Sequence, residues 1–341
     1  MSRVGIGVIG VGTWGQFHAR TYAEHSSAEL IAVADVDVKR AKEIAKTYGA
    51  KKYFADYRNL LRDPRVEAVS VAVPDPYHKE PCLAAAEAGK HILVEKPLAT
   101  TLEDAEAIVQ AAEKAKVKLM VDFHNRWNPP FVVAKHIIDK DEIGNLLYVN
   151  LRLNDTISVP MKMLKWASKS SVVWFLGSHA ADITRWLMKD EPATVTSFAR
   201  SKVLVRKGID TPDLFHSVIE YRRGGLSAIE NQWILPETFP SPYDFNAELV
   251  GTKGTLFIDT SQNRCIQKFA GRKCEYPDVL AVPIIHGRLT GFAKEAISHF
   301  VDCVASNNRL MVTGEDGIQN TKTVLAMVES AKREKSVEIQ D

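Results

Sequence analysis

The chain has 341 residues, of which 45% are hydrophobic and 25% charged, and its formal net charge is +2 at pH 7. This length is sufficient for two domains, and the composition is that of an ordinary soluble globular protein. The small net charge and the lack of a basic stripe argue against binding of nucleic acid. We see no signal peptide and no apolar run long enough to span a membrane, so we expect a cytoplasmic protein. The cysteines form no Cys-x-x-Cys pair, so we expect no metal site.

The first predicted elements are a strand, a glycine-rich turn, a helix and a second strand. Residues 4–9 form a short apolar run that predicts a buried strand, and residues 29–35 predict another. Between them, residues 10–15 read GVGTWG and residues 16–24 predict a helix. This order is typical of a dinucleotide-binding unit.

Each part of this unit has a physical role in holding a dinucleotide. Gly10 permits a tight turn, Gly12 lets the backbone approach a pyrophosphate, and Gly15 lets the helix pack closely on the strand. Asp35, twenty residues after Gly15, is placed to accept from a ribose 2′-OH, which favours NAD over NADP. The neighbouring Lys39 and Arg40 weaken that preference. The residues predicted to bind the cofactor here are Gly10, Gly12, Thr13, Trp14, Gly15 and Asp35.

Helices and strands continue to alternate as far as residue 122. The predicted helices cover residues 38–48, 57–62, 79–88 and 101–114, and the predicted strands cover 52–54, 66–73, 91–95 and 118–122. Thr101 is the predicted N-cap of its helix. The alternation predicts an α/β fold, with a doubly wound parallel sheet and helices on both faces.

The second half of the chain has a different pattern. Strands are predicted at residues 146–153, 194–200, 215–221, 226–233, 246–251 and 255–259, and helices at 131–139, 177–188, 290–306 and 314–333. Residues 223–225 and 252–254 predict hairpin turns, and therefore an antiparallel sheet. We expect a first domain at residues 1–123 and a second, α+β domain at residues 124–341.

A second motif, Glu95-Lys96-Pro97, ends the predicted strand at residues 91–95. Ligands of an open α/β sheet bind at the carboxyl ends of its strands. Pro97 keeps Lys96 out of the helical region and permits a cis bond. Lys96 can therefore donate to a substrate oxygen, although the same three residues in isolation are more typical of a solvated strand end.

Residues 71–108, VAVPDPYHKEPCLAAAEAGKHILVEKPLATTLEDAEAI, resemble the glucose–fructose oxidoreductase, inositol dehydrogenase and rhizopine-catabolism (GFO/IDH/MocA) family. The shared pattern is a strand ending in Pro, a His four residues later, an Ala-rich helix, Gly-Lys-His and Glu-Lys-Pro-Leu-Ala. The stretches FHNRWNP at residues 123–129, GTKGT at 251–255 and VTGEDG at 312–317 are similar to later family motifs.

The resemblance implies a nicotinamide-dependent oxidoreductase that acts on sugars or cyclic polyols. It implies a Rossmann first domain and an open-faced, mostly antiparallel sheet in the second, through which the chain would form a homodimer or homotetramer. Lys96 and His179 match the catalytic residues of the family. Pro74, His78, Glu95, Lys96 and Arg126 match positions that line the dinucleotide, and Asn125 matches a position near the nicotinamide and the substrate.

One position departs from the family pattern. The family commonly has an aspartate four residues before the catalytic histidine, where this chain has Phe175. Asp182, three residues after His179, is retained and lies on the same predicted helical face, so it can orient the histidine. This departure leaves catalysis intact in our interpretation but leaves the substrate open.

The stretch at residues 161–173 is the candidate for substrate selection. It contains Lys165 and Trp166, which could hold a charged group and stack on a sugar ring. A solvated loop with core tryptophans explains the same residues equally well. The predicted substrate-binding residues are Lys96, Asn125, Lys165, Trp166, Phe175, His179 and Asp182.

Three functions remain open from the sequence. The first is reversible oxidation of a secondary alcohol of a sugar, sugar derivative or cyclic polyol. The second is glycoside cleavage through transient oxidation by tightly bound NAD. The third is a non-catalytic sensor of dinucleotide and sugar, against which Lys96 and His179 argue.

Overall fold

The computed structural model of the chain describes residues 3–261, 265–271 and 273–340. These residues form two compact units, of which the first contains the chain up to His124 together with Ala281–Ile318. The second contains Asn125–Leu280 and the chain from Gln319 onward. The domain boundary after residue 123 stays a prediction. In the described parts of the chain, no helix has the length and apolar character that crossing a membrane requires.

The first unit is built on a six-stranded parallel sheet. Its strands are β1 (Val4–Ile9), β2 (Ala28–Ala34), β3 (Lys52–Phe54), β4 (Ala68–Val71), β5 (His91–Val94) and β6 (Leu119–Val121). Their order is β3-β2-β1-β4-β5-β6, and each neighbouring pair is parallel. This is the predicted doubly wound sheet, and its strand order reverses between β1 and β4, where such sheets bind ligands.

Helices connect these strands. They are α1 (Thr13–Glu24), α2 (Val38–Tyr48), α3 (Tyr57–Leu61), α4 (Lys79–Glu87) and α5 (Leu102–Ala115). Local capping explains where two of them begin, because Asp37 accepts from the backbone N–H groups of Lys39 and Arg40, and Thr101 accepts from that of Asp104. The predicted N-cap at Thr101 is confirmed. Further along the chain, the helix Phe292–Ala305 also belongs to this unit.

The second unit contains a larger, mixed sheet. Its main strands are β7 (Leu146–Asp155), β8 (Pro192–Arg200), β9 (Leu214–Tyr221), β10 (Leu226–Gln232), β11 (Tyr243–Gly251) and β12 (Thr255–Asp259). They are ordered β12-β11-β7-β10-β9-β8, with Val337–Glu338 added beside β8. Among the described strands of this second sheet, only β7 and β10 pair in parallel, so the predicted mostly antiparallel sheet is confirmed.

One face of this sheet covers the core of the second unit. Along β9, Phe215 and Ile219 are buried whereas His216 and Val218 are exposed, which is the alternation of a strand with one solvated face. Helices α6 (Pro129–Asp139) and α7 (Ser178–Met188) belong to the same unit. The helix Gly314–Arg333 carries the chain from the first unit into the second.

Two segments of the second unit adopt a conformation that the sequence pattern did not predict. Val159–Met163 and Val173–Gly177 are π-helical. The second of these leads directly into α7, so Phe175 and His179 do not share one regular α-helix. Single π turns inside or beside α-helices are frequent at functional sites.

Candidate active site

The glycine-rich turn between β1 and α1 has the shape that a pyrophosphate requires. Gly10 has a φ of 83°, and a Cβ there would lie 2.6 Å from the carbonyl oxygen of Ala72. A Cβ on Gly15 would lie 1.8 Å from the carbonyl oxygen of Gly10, so neither position accepts a side chain. A Cβ on Gly12 would meet nothing within 4 Å, which leaves open space at the start of α1.

The first turn of α1 is suited to an anion for the same reason. Gly12 is the N-cap residue and supplies no side-chain cap to the backbone N–H groups of Thr13, Trp14 and Gly15. The helix dipole adds positive potential at this end. The residues present therefore fit the phosphates of a dinucleotide.

Asp35 follows β2 and is buried, as a ribose acceptor would be. Its carboxylate already accepts from the backbone N–H groups of Val11 at 2.9 Å and Asp37 at 2.8 Å. Arg40 donates to both carboxylate oxygens, at 2.7 and 3.2 Å, and this hydrogen bonding raises the pKa of Arg40. A ribose hydroxyl would therefore share Asp35 with the guanidinium of Arg40, for which the sequence predicted only proximity.

Pro74 and His78 lie after β4, around the short turn Asp75–Tyr77. The His78 ring is buried and contacts two carbonyl oxygens, that of Pro97 at 2.7 Å and that of Val73 at 2.9 Å. Because carbonyl oxygens only accept, both contacts are hydrogen bonds when both ring nitrogens carry a proton. His78 thus ties the end of β4 to the segment that follows Lys96.

Glu95 and Lys96 follow β5, and both are buried. The Lys96–Pro97 peptide bond is cis. His18 Nε2 lies 2.8 Å from Glu95 Oε1. Burial on its own raises the pKa of Glu95, but the hydrogen bond from His18 and nearby positive charge, including Lys96, outweigh it and lower the pKa to about 2.

Glu95 belongs to a cluster of three buried side chains of types that also bind metal ions. The ligand atoms of His18, Glu95 and Asp122 all lie within 4.8 Å of one another. The 2.8 Å separation of His18 and Glu95 is that of a hydrogen bond, which holds a proton between the two atoms. The sequence has no local signal for this cluster, because His18 lies within a helix and is 77 positions away from Glu95.

In the second unit, Asn125 and Arg126 lie in the turn His124–Trp127 and are buried. Arg126 donates to both carboxylate oxygens of Asp182, at 2.9 and 2.6 Å. Asp182 is therefore engaged by Arg126, a partner that the sequence did not suggest. His179 is in the first turn of α7 and is 7% exposed.

The backbone around His179 is held by neighbouring side chains. Ser178 Oγ donates to the carbonyl oxygen of Trp174 at 2.7 Å, and Asn320 Nδ2 donates to the carbonyl oxygen of Ser178 at 2.7 Å. Both bonds fix the junction between the π turn and α7. This junction is what gives His179 its position in the second unit.

Phe175 is part of an aromatic cluster of three residues. Its ring centroid lies 6.2 Å from that of Trp166 and 5.8 Å from that of Trp233. Trp233 is fully buried, whereas Phe175 and Trp166 are half-buried. Lys165 is exposed. The structure thus brings together two of the predicted substrate residues, Trp166 and Phe175, around a tryptophan that sequence analysis did not single out.

Comparisons with known proteins address the family. Residues 4–123 match the model of the GFO/IDH/MocA oxidoreductase family, described as an NAD-binding Rossmann fold, and residues 135–339 match its C-terminal alpha/beta domain. The chain belongs to this family. It is an oxidoreductase, and residues 4–123 are its NAD-binding domain.

Individual relatives extend over nearly the whole chain. One is the scyllo-inositol 2-dehydrogenase (NAD(+)) of Bacillus subtilis, 28% identical over 97% of this chain and 95% of its own. Another is the myo-inositol 2-dehydrogenase of Thermotoga maritima, 27% identical over 98% of each chain. A crystal structure of a probable dehydrogenase from Thermotoga maritima has a TM-score of 0.84 and 25% identity, and the match covers 98% of this chain and 99% of that one.

Proposed function

We propose that this enzyme uses NAD to oxidise, reversibly, a secondary alcohol of a sugar, a sugar derivative or a cyclic polyol. The observation that carries the proposal is Lys96, a buried lysine two residues after β5, at the sheet edge where the glycine-rich turn also lies. Two of the relatives named above are inositol 2-dehydrogenases, which supports this class of substrate. Bound NAD would supply a carbon that accepts hydride from the alcohol.

Residues of the chain must remove the hydroxyl proton of the substrate and stabilise the negative charge on its oxygen. We assign Lys96 to donate a hydrogen bond to the substrate oxygen and to stabilise negative charge on it as the carbonyl forms. His179 is assigned to take the hydroxyl proton, since imidazole is the usual base near neutral pH. The turn at Gly12 and the carboxylate of Asp35 are assigned to the cofactor, with Pro74, His78, Glu95 and Arg126 as further lining residues.

Substrate choice is assigned to the aromatic cluster and its neighbours. Trp166 and Phe175 present half-buried rings, and aromatic faces suit the C–H face of a pyranose or cyclitol. Lys165 is exposed, so it is available for a charged substituent on the ring. Asn125 and Asp182 complete the proposed set.

The test begins with the wild-type protein and a panel of sugars, cyclitols, sugar acids and nucleotide sugars, with NADH formation followed by absorbance. Lys96→Ala should lower kcat about a hundredfold to ten-thousandfold and leave NAD binding nearly unchanged. Lys96→Arg should not restore activity, because a planar, forked guanidinium cannot take the place of a compact ammonium. His179→Asn should lose most turnover. Lys207→Ala, a substitution of an exposed residue, is the control and should keep it.

Near-normal turnover in a folded Lys96→Ala protein would remove Lys96 from the mechanism. Cofactor that stays bound and returns to its starting redox state would favour glycoside cleavage instead. Failure of the wild type to oxidise any member of the panel would favour the sensor.

The solvated face of the second sheet is proposed to join copies of the chain as a homodimer or homotetramer. This face carries exposed apolar side chains, among them Phe198, Val218 and Phe257. Exposed apolar patches of this kind often mark interfaces. Light scattering after gel filtration gives the number of chains, and a monomer at micromolar concentration would contradict the proposal.

A further inference from the structure

A line of four buried side chains leads from the interior of the first unit to Glu95. Tyr22 Oη contacts Ser70 Oγ, Ser70 Oγ lies 2.9 Å from His18 Nδ1, and His18 Nε2 lies 2.8 Å from Glu95 Oε1. Tyr22 and His18 come from α1, Ser70 from β4, and Glu95 follows β5. Tyr22, Ser70 and His18 are each 0% exposed. The line therefore ends inside the protein at Tyr22 and beside Lys96 at Glu95.

The chemistry of the four groups fixes the donor at the Glu95 end of the line. Burial raises the pKa of Tyr22, so its hydroxyl keeps its proton. The low pKa of Glu95 makes its carboxylate an acceptor only. His18 therefore donates from Nε2 to Glu95 Oε1, and its Nδ1 lies within hydrogen-bond distance of the Ser70 hydroxyl, which can donate or accept.

The surrounding groups balance the charge of Glu95. Asp122 Oδ2 lies 3.6 Å from His18 Nε2 and 3.9 Å from His124 Nδ1. Burial and the neighbouring Glu95 raise the pKa of Asp122, whereas the pKa of Glu95 is lowered, so Glu95 is the stronger acid of the two. Glu95 is then the buried anion of the cluster, and Lys96 is among the positive groups that lower its pKa.

We propose that His18 is a positioning residue for the reaction, which holds Glu95 as a fixed anion next to Lys96. The attraction between the two groups holds the Lys96 side chain in place as a hydrogen-bond donor for the substrate oxygen. This inference rests on the role of Lys96 in the proposed function. Because the hydrogen-bonded line closes at Tyr22, its role is to fix a carboxylate and its charge rather than to carry protons to solvent.

The proposal gives opposite expectations for two substitutions of His18. Burial raises the pKa of Glu95, and His18→Leu removes the hydrogen bond that opposes this effect. The pKa of Glu95 should therefore rise, so that its carboxylate takes up a proton within the pH range in which the enzyme is active. The acid limb of the pH profile of kcat/KM should therefore move upward by about one to three pH units, and kcat should fall about tenfold or more. His18→Gln keeps an N–H donor toward Glu95 and should retain most of the wild-type profile.

A double-substitution cycle separates positioning from general stability. In Glu95→Gln there is no anion to hold, so adding His18→Leu should change kcat by less than about threefold. An unmoved acid limb in a folded His18→Leu protein, or equal losses from His18→Leu with and without Glu95→Gln, would overturn the proposal.

A second measurement does not depend on turnover. Long-range ¹⁵N–¹H spectra of histidine-labelled protein distinguish the tautomers of each ring, and the signals that vanish in His18→Gln identify His18. We expect a proton on Nε2, the nitrogen that faces Glu95. A ring with its proton on Nδ1 alone would contradict the hydrogen bond from His18 to Glu95 even if no substrate were oxidised. Lack of turnover by the wild type would instead count against the proposed function alone.

Discussion

The guanidinium of Arg126 donates to both carboxylate oxygens of Asp182 in a buried, two-pronged ion pair. Arg126 lies in the turn that begins the second unit, and Asp182 lies in the first half of α7, three residues after His179. The pair therefore links the start of the unit to the helix that carries the proposed base. Both side chains are almost completely buried, so each depends on the other for compensation of its charge.

Breaking this pair from one side should destabilise the fold. Asp182→Asn leaves a buried guanidinium without its anion and should lower the free energy of unfolding by about 3 to 5 kcal/mol. Arg126→Met should have a similar effect. The double substitution should lose clearly less than the sum of the two, because neither charge is left alone. Urea denaturation followed by circular dichroism measures all three, and strictly additive losses would show that the two charges do not depend on each other.

The contact between Arg40 and Asp35 should set the cofactor preference. We expect tighter binding of NAD than of NADP, because Asp35 repels a 2′-phosphate, but Arg40 moderates that repulsion. Asp35→Ser frees the guanidinium for a phosphate and should tighten NADP binding about tenfold to a hundredfold. Arg40→Leu should bind NADP more weakly than the wild type does. Lys39→Ala, which changes an exposed neighbour, is the control. Fluorescence titration decides, and tighter NADP binding by the wild type would contradict the assignment.

Phe175 should support the substrate region without taking part in proton transfer. Phe175→Ala should cost about 2 kcal/mol of stability, less than a fully buried phenylalanine, because the ring is half-buried against Trp166 and Trp233. It should change the ranking of substrates more than kcat for the best one. Phe175→Leu keeps an apolar side chain and should retain most of both properties. Loss of all turnover in Phe175→Ala, with folding and NAD binding intact, would give this residue a direct role.

The cluster around Glu95 should make stability depend on pH in two opposite ways. The pKa of Glu95 falls from its ordinary value of 4.5 to about 2, so its stabilising effect is complete above pH 4.5 and is lost as the pH falls toward 2. The pKa of Asp122 is raised from 3.8, so its contribution is complete below that pH and is lost as the pH rises.

Two substitutions separate these effects. Glu95→Gln should flatten the loss of stability between pH 4.5 and 2, and Asp122→Asn should reduce the cost at neutral pH because asparagine is neutral at every pH. Denaturation midpoints across the pH range test both, and a Glu95→Gln protein with the acid sensitivity of the wild type would contradict the assignment.

Local sequence determined most of the elements of the first unit. The helix at residues 38–48 and the strand at residues 52–54 have the bounds that periodicity predicted, and Thr101 caps its helix as expected. Such features depend on residues within a few positions of one another, through side-chain alternation, capping and the freedom of Gly10. For the same reason the glycine-rich turn and the strand end at Glu95 could be predicted as ligand-binding positions.

Only the tertiary structure decided which partners these residues have. His18 and Glu95 are 77 positions apart, and Arg126 and Asp182 are 56 apart, so no spacing rule relates them. Their contacts depend on how α1 packs on the sheet and how α7 packs within the second unit, because buried polar groups take whatever partner the packing brings near. The parallel pairing of β7 with β10 and the π turn before α7 are likewise set by long-range packing, which overrides local preference.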